Sequence, residues 1–409
     1  MTAGTDSGSW RRNVWALALI VFVAFVGFQF FSPFLPLYVR ELGVSDPGRI
    51  ALWSGLLSAV TPGVSGILSP LFGRLADRFG RKAMLIRSLA GFVVIIGAMG
   101  LVTSVEQLLV ARLLQGLFAG FTPMAIALAS VSAPRDKAAE AIGLVQSAQL
   151  LSAAVGPAVG GYVASHLGIR YAFFVTAAMC AVALIGLITL FREAPSVHPG
   201  ESRTPAPPMP LRRILRYRHF AVVIALLVVA QFIDRGLALL IPLRVAHMPG
   251  VEAIAAISGI IISVAAVTAT ISANLVARLS VGIPSGRLLL IGLCAGGLLC
   301  SAMALAGGWV SLLVLRTLVG LCLGGAITLT YTLGGLIVPG HNRGAAFGWL
   351  GLGLQVGTAA SPLVMGGLAA ASLPGAFLFA GALAWCAAAL LAFGARRLLS
   401  RREARESEA

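Results

Sequence analysis

The sequence predicts an all-α integral membrane protein made of two related six-helix bundles, and three observations carry that prediction. Mean hydropathy is +0.96, with 58% hydrophobic and only 11% charged residues, whereas a soluble domain carries about a quarter charged residues. Apolar runs of roughly 18 residues or more read as membrane-crossing helices, and about twelve are present. A polar, proline-rich stretch near the middle divides them six and six.

The first run, 14–38, follows Arg11 and Arg12 and begins like a secretory signal. It is too long for a signal core and passes through Pro33 and Pro36 without a small-residue cleavage site, so it reads as a span. Runs 51–72 and 83–103 flank the charged segment GRLADRFGRK (73–82). Run 107–131 holds Arg112, run 139–165 holds Gly156-Pro157, and run 171–191 closes the first bundle, residues 1–191. Residues 192–219 contain Pro195, Pro199, Pro205, Pro207, Pro208 and Pro210 and end in RRILRYRH. Prolines cannot sustain a helix, so this part reads as a cytoplasmic linker that passes into a short interfacial helix. The second bundle, 220–409 with its basic tail, opens with run 220–245, which holds Asp234 and Arg235. Runs 253–278, 286–306, 309–337, 344–371 and 375–394 complete it.

The net charge of +16 reports topology. With the N-terminus in the cytoplasm, and bases at the edge of a run counted with the adjoining loop, four of the 30 Lys and Arg are external (Arg40, Arg49, Arg170, Arg244) and three lie deeper in spans (Arg112, Arg235, Arg316). The remaining 23 are cytoplasmic, the positive-inside bias, which predicts a multi-pass inner-membrane protein with both termini in the cytoplasm. No aromatic-basic patch accompanies the charge, so nucleic acid is not a predicted partner. The five cysteines all fall in spans without CxxC spacing and the five histidines form no ligand cluster. With no GxSxG elbow, Walker loop or HExxH helix either, the chain is not read as an enzyme, and neither metal nor cofactor is expected.

The halves repeat at a shift of about 200 to 206 residues. Pro36-Leu37-Tyr38-Val39 returns as Pro242-Leu243-Arg244-Val245, and Arg112 before Gly116 returns as Arg316 before Gly320. Gly156-Pro157 and Gly160-Gly161 return as Ser361-Pro362 and Gly366-Gly367. Leu75 and Arg78 return as Leu275 and Arg278, but Asp77 and Gly80 become Ala277 and Ser280. Repeated bundles of this size handle their substrate between them, near the bilayer midplane.

GRLADRFGRK resembles the signature between the second and third spans of the major facilitator superfamily. RLLQG (112–116) is similar to that family's fourth-span motif, and Gly156-Pro157-xx-Gly160-Gly161 to the fifth-span pattern of its antiporters. Pro33-xx-Pro36 resembles the first-span pattern of its twelve-span drug/proton antiporter branch, and PFLPLYVRELGV (33–44) resembles the MdtG-type multidrug efflux proteins within it. The resemblance covers essentially the whole chain and implies a secondary active transporter.

On the residues alone, Gly73 and Gly80 suit a tight turn, and Arg74, Arg78, Arg81 and Lys82 hold it in the cytoplasm. Asp77 weakens that positive signal and needs another reason. The resemblance supplies one: this acid contacts the start of the eleventh helix, here Gly344-Ala345-Ala346, and latches the outward-open state together with Gly73, Arg78, Gly80 and Arg81. At Gly156, Pro157, Gly160 and Gly161 small residues let helices approach closely, and the resemblance adds that such a helix seals an antiporter against leak.

Of 14 acids only Asp234 falls in the interior of a span, Glu140 at the edge of run 139–165 counting with the cytoplasmic loop. A mid-membrane acid costs roughly 2.5–3.5 kcal/mol on insertion scales and marks a functional candidate. Asp234 is therefore the candidate proton-coupling group, with Arg112 and Arg235 as candidate partners. Sequence neighbours point about 100° apart on a helix, so Asp234 and Arg235 need not pair with each other. Relatives in the drug/proton branch place acids in the first span, where this chain has Gln29. The cavity candidates are Gln29, Gln115, Gln149, Gln231, Tyr331 and Gln355, with Gln146 and Asn274 of the same type. Each also suits an interhelical hydrogen bond. An apolar cavity with scattered polar groups fits amphipathic, drug-like small molecules exchanged for protons by a monomer in the bilayer. A specific sugar or metabolite carrier and a non-transporting membrane sensor remain alternatives.

Overall fold

The computed structural model describes residues 9–134, 137–191, 217, 219–338, 343–395 and 398. The linker read at 192–219 lies largely outside the described residues. Among those described, twelve helical segments are long and apolar enough to cross a membrane, and no strand occurs.

Three of the twelve are interrupted. Pro33 and Pro36 break the first into α1 (Ser9–Phe31), a 3-10 turn and α2 (Leu35–Glu41), as expected where proline removes a helix donor. The fourth is α5 (Val105–Leu117) and α6 (Phe121–Ser132), divided at Gly120; the tenth is α12 (Trp309–Leu323) and α13 (Ala326–Ile337), divided at Gly324 and Gly325. Gly120 and Gly324 are related by the repeat shift that relates Arg112 to Arg316, so both halves break the same span one turn past the same glycine.

The other spans are α3 (Pro47–Phe79), α4 (Arg81–Met99), α7 (Ala138–Leu167), α8 (Ile169–Thr189), α9 (Phe220–Ala246), α10 (Ile254–Leu279), α11 (Ser285–Met303), α14 (Arg343–Ala371) and α15 (Leu373–Gly394). Asp46 caps α3, accepting the Arg49 N–H at 2.7 Å, with Pro47 at the first helical position. GRLADRFGRK is not a ten-residue turn. Nothing before Gly80 breaks the helix, so α3 runs to Phe79, and Gly80 at φ +90° is the single residue that reverses the chain into α4.

Phe31, Phe34, Tyr38 and Phe173 are fully enclosed, with the Tyr38 hydroxyl donating to the Met99 carbonyl at 2.8 Å. Val94, Val182, Ile291 and Leu298 turn outward, the pattern of helices that are apolar all round and face lipid. The halves meet through two helix pairs, α3 with α14 and α7 with α10. At the end where α3 begins these pairs touch backbone to backbone. A Cβ on Gly55 would collide with the Pro362 carbonyl, one on Gly161 with the Ala255 carbonyl, and one on Gly259 with the Pro157 carbonyl. Ser165 and Ser263 hydroxyls accept the Ala256 and Ala158 N–H groups across the same seam at 3.0 and 2.9 Å. Towards the other end of α3 and at the start of α14, a Cβ on Gly63, Gly66, Gly73 or Gly348 would meet nothing within 4 Å.

Candidate functional site

Between the halves lies a cavity of about 590 Å³, walled by α1, α3, α5 and α7 on one side and by α9, α10, α12, α13 and α14 on the other. Phe28, Phe31, Ile233 and Leu237 make its walls largely apolar, and a few polar side chains converge on it.

Arg112 reaches it from α5. Its Nε donates to the Leu57 carbonyl at 3.0 Å and its Nη1 to Gln115 Oε1 at 2.9 Å, while the guanidinium lies 5.4 Å from the Phe31 ring centroid. The Thr61 hydroxyl donates to the Arg112 carbonyl at 2.9 Å, tying α3 to α5 at the same level. Arg316 enters from the corresponding turn of α12, and its Nη2 donates to Asp234 Oδ1 at 2.7 Å. The guanidinium side of this pair is enclosed and the carboxylate side is open, at 7% and 49% side-chain exposure. Arg316 Nε is buried with no hydrogen-bond partner. Arg235 is exposed to the cavity and makes no hydrogen bond or ion pair with a described residue. Gln231 is buried and donates from Nε2 to Thr358 Oγ1 at 2.9 Å, joining α9 to α14.

Asp234 therefore takes its hydrogen bond from Arg316, not from Arg112 or Arg235. Arg112 is held within its own half, while Arg235 lines the same cavity as Asp234 and acts on it through its charge without a hydrogen bond. The repeat contained the signal, since Arg316 is the counterpart of Arg112 in the half that carries Asp234. Among the cavity candidates, Gln29, Gln115 and Gln231 line the space, as does Asn274, which donates to the Thr270 carbonyl at 2.9 Å. Gln149, Tyr331 and Gln355 do not line it. Gln149 Nε2 is buried without a partner, Tyr331 packs its ring 6.0 Å from that of Phe347, and Gln355 sits on an exposed face of α14. Thr61 and Thr358 carry no such signal in the sequence, because a threonine in an apolar helix commonly bonds back to its own backbone.

The family model for the Major Facilitator Superfamily matches residues 17–308 and 283–409. The chain belongs to the major facilitator superfamily. It is 32% identical over 363 residues to the multidrug resistance protein MdtG of Salmonella arizonae, covering 87% of this chain and 88% of that protein. It is 33% identical over 373 residues to MdtG of Yersinia enterocolitica, covering 89% and 88%. A bacterial homologue of the human lysosomal transporter Spinster, solved in an inward-facing and occupied conformation, superposes with a TM-score of 0.78 at 17% identity, covering 95% of this chain and 98% of that one. The nucleoside transporter NupG superposes at 0.76 and 14% identity, covering 93% and 98%. At these identities the structures speak to the fold. The protein is thus a multi-pass inner-membrane secondary transporter of the major-facilitator fold, it moves small molecules, and it is not an enzyme.

The family's signature segment is partly described. Gly80 makes the turn, Arg81 donates to the Ala127 carbonyl at 3.2 Å, and Arg78 lies over the Phe79 ring at 5.2 Å. The side chains of Asp77, Gly344 and Ala345 lie outside those described. In the fifth span, a Cβ on Gly156 would press on Gln29 and one on Gly160 would strike the Phe30 backbone, so α7 packs on α1 through these two glycines and on α10 through Gly161.

Proposed function

We propose that this carrier exports amphipathic, drug-like small molecules in exchange for protons, as a monomer, by alternating access. Residues 1–191 and 220–409 would rock as two units about the central cavity, joined by the cytoplasmic linker 192–219. The observation that carries the reading is Asp234. Among the described residues it is the only carboxylate lining the cavity, it faces open space, and its single ion pair is with Arg316. A carboxylate poised between a guanidinium and an open cavity can exchange a proton as its surroundings change. The relatives named as multidrug resistance proteins support the export of drug-like compounds. With both termini in the cytoplasm, the sealed end where α3 begins is external, and the carrier here is inward-facing.

Asp234→Asn keeps the shape and one acceptor oxygen but holds no titratable proton. It is expected to abolish proton-driven accumulation in proteoliposomes while substrate binding stays measurable. The direct reading is proton release when a transported amphipathic compound is added to detergent-solubilised protein. A mutant that releases as many protons as wild type would remove Asp234 from the coupling.

Asp77 is proposed to latch the outward-open state, with Gly73, Arg78, Gly80 and Arg81 forming the segment around it. An acid at a helix N-terminus contributes about 0.3–1 kcal/mol when exposed and more when partly buried. Asp77→Asn is expected to raise the inward-open population by about two- to five-fold and to slow transport without preventing insertion. The ratio of labelling at cysteines placed on the two faces reads this out; an unchanged ratio with normal transport would dispose of the latch.

A further inference from the structure

The fourth and tenth spans break at corresponding glycines, yet the two breaks are made of different parts. In the fourth span Pro123 decides. It has no N–H to offer the Ala119 carbonyl four residues earlier, so that acceptor has no helical partner in any conformation. Arg87 of α4 takes it, donating from Nη2 at 2.9 Å, with its guanidinium 4.8 and 5.8 Å from the Phe72 and Phe118 ring centroids. Arg81 donates to the Ala127 carbonyl further along, so α4 carries α6 with it. Gly120 at φ +104° completes a turn that other residues resist.

The tenth span has none of these parts. At the shift that relates Arg112 to Arg316, Pro123 becomes Ile327, Arg87 becomes Ile291 and Leu68 becomes Ser272. Ile327 has a backbone N–H, while Ile291 is 64% exposed and its side chain bears no donor. Ser272 of α10, which is fully buried, acts instead. Its hydroxyl accepts the Gly325 N–H at 3.1 Å and donates to the Leu321 carbonyl at 2.6 Å. Leu321 and Gly325 are the pair that an unbroken helix would join directly. A side chain inserted into that ladder bends a helix. The hydroxyl reaches the backbone because this stretch faces α10 through glycines: a Cβ on Gly324 would press on Ala269 and one on Gly325 on Val276.

We infer that Ser272 is a positioning residue for transport, holding the tenth span bent in the form described here and releasing it in the other. When α10 shifts, the hydroxyl leaves the ladder and turns to the Thr268 carbonyl of its own helix, a bond that serine commonly makes. The Gly325 N–H then closes on the Leu321 carbonyl, and α12 and α13 join into one helix. Each polar group keeps a partner on both sides of this exchange, so it costs little. In the fourth span no such exchange exists, because Pro123 can never take the Ala119 carbonyl. The mobile segment is thus α13, while α6 stays where α4 holds it. Gly320, Leu323, Gly324, Ile327 and Thr328 line the central cavity, so the bend lies in its wall and a change there reshapes it. The inference rests on the reading of this form as inward-facing, with α13 at the cytoplasmic end.

The test reads two distances by paired spin labels with the full chain in lipid nanodiscs. One pair is Leu336 on α13 with Ile291 on α11, the other Val131 on α6 with Ala83 on α4, all exposed positions. The first pair is expected to show two populations and the second pair one. A single distance for the first pair, or two for the second, would overturn the inference without any variant at position 272. Ser272→Ala removes the inserted hydroxyl but leaves the direct Leu321–Gly325 bond available. It should shift the first pair's ratio towards the straight form about fivefold and leave the second pair unchanged. Ser272→Thr, which restores a hydroxyl, should recover most of the ratio. A lowered melting temperature with an unchanged ratio would mark the serine as structural only; the inference would fall with the inward-facing reading intact. Equal movement of both pairs would overturn it too. Cysteine labelling at the two faces of Ser272→Ala identifies the form gained. More outward-open protein is expected, whereas more inward-open protein would overturn the inference and the inward-facing reading together.

Discussion

Gly259→Leu is expected to drive the carrier out of the form described here and hold it open to the exterior. In this form the Cβ of residue 259 would fall on the Pro157 carbonyl, with the Pro157 carbonyl carbon at 3.0 Å and the Ala158 Cα at 3.3 Å. Backbone atoms inside a helix cannot swing aside as a flexible side chain can, so α7 and α10 must separate. Overpacking of this kind costs about 1–3 kcal/mol. It acts on one conformation only, because the seam exists only when the two halves are closed at this end. A bias of that size changes the ratio of the two forms by about 5- to 150-fold. The measurement is the separation of spin labels placed at the ends of α3 and α14, with transport followed in parallel. Distances across the sealed end should lengthen and turnover should fall. Gly66→Leu, where nothing lies within 4 Å, should leave the present form undisturbed. If Gly259→Leu kept short distances and normal turnover, the contact between α7 and α10 would not be the external seal.

The fold was legible in the sequence because a membrane helix needs only length and hydropathy to declare itself, and both are local. The break in the first span lies at Pro33 and Pro36, which the reading of 14–38 as one continuous run passes over. The contents of the cavity were less legible. Spans that are apolar all round carry no periodicity to say which face is inward, so Gln231, which lines the cavity, and Gln355, which does not, look alike in sequence. The partner of Asp234 lies 82 residues away on a helix brought alongside by tertiary packing, and only the repeat hinted at it. GRLADRFGRK reads as a turn on its two glycines, whereas Gly73 stays helical within α3 and the backbone turns only at Gly80. Such differences arise where a residue's role depends on what faces it.

The Arg316–Asp234 pair should show an asymmetry that follows from its burial. Asp234→Ala leaves a guanidinium that is only 7% exposed without its counter-charge, and its Nε already lacks a partner. Breaking a buried pair from that side costs about 3–5 kcal/mol. Arg316→Ala leaves a carboxylate whose side chain is 49% exposed to the cavity, where water takes over part of the lost interaction. The cost there is expected to be nearer 1–2 kcal/mol. Asp234→Ala should therefore lower the melting temperature of the purified protein more than Arg316→Ala, although both should lose coupled transport. Asp234→Asn with Arg316→Gln removes both charges and can keep one amide–amide hydrogen bond, so it should regain most of the stability while coupling stays absent. A double-mutant cycle on melting temperature and transport separates the two contributions. If Arg316→Ala proved the more destabilising change, the carboxylate would be the enclosed partner, and Asp234 could not exchange protons with the cavity in this form.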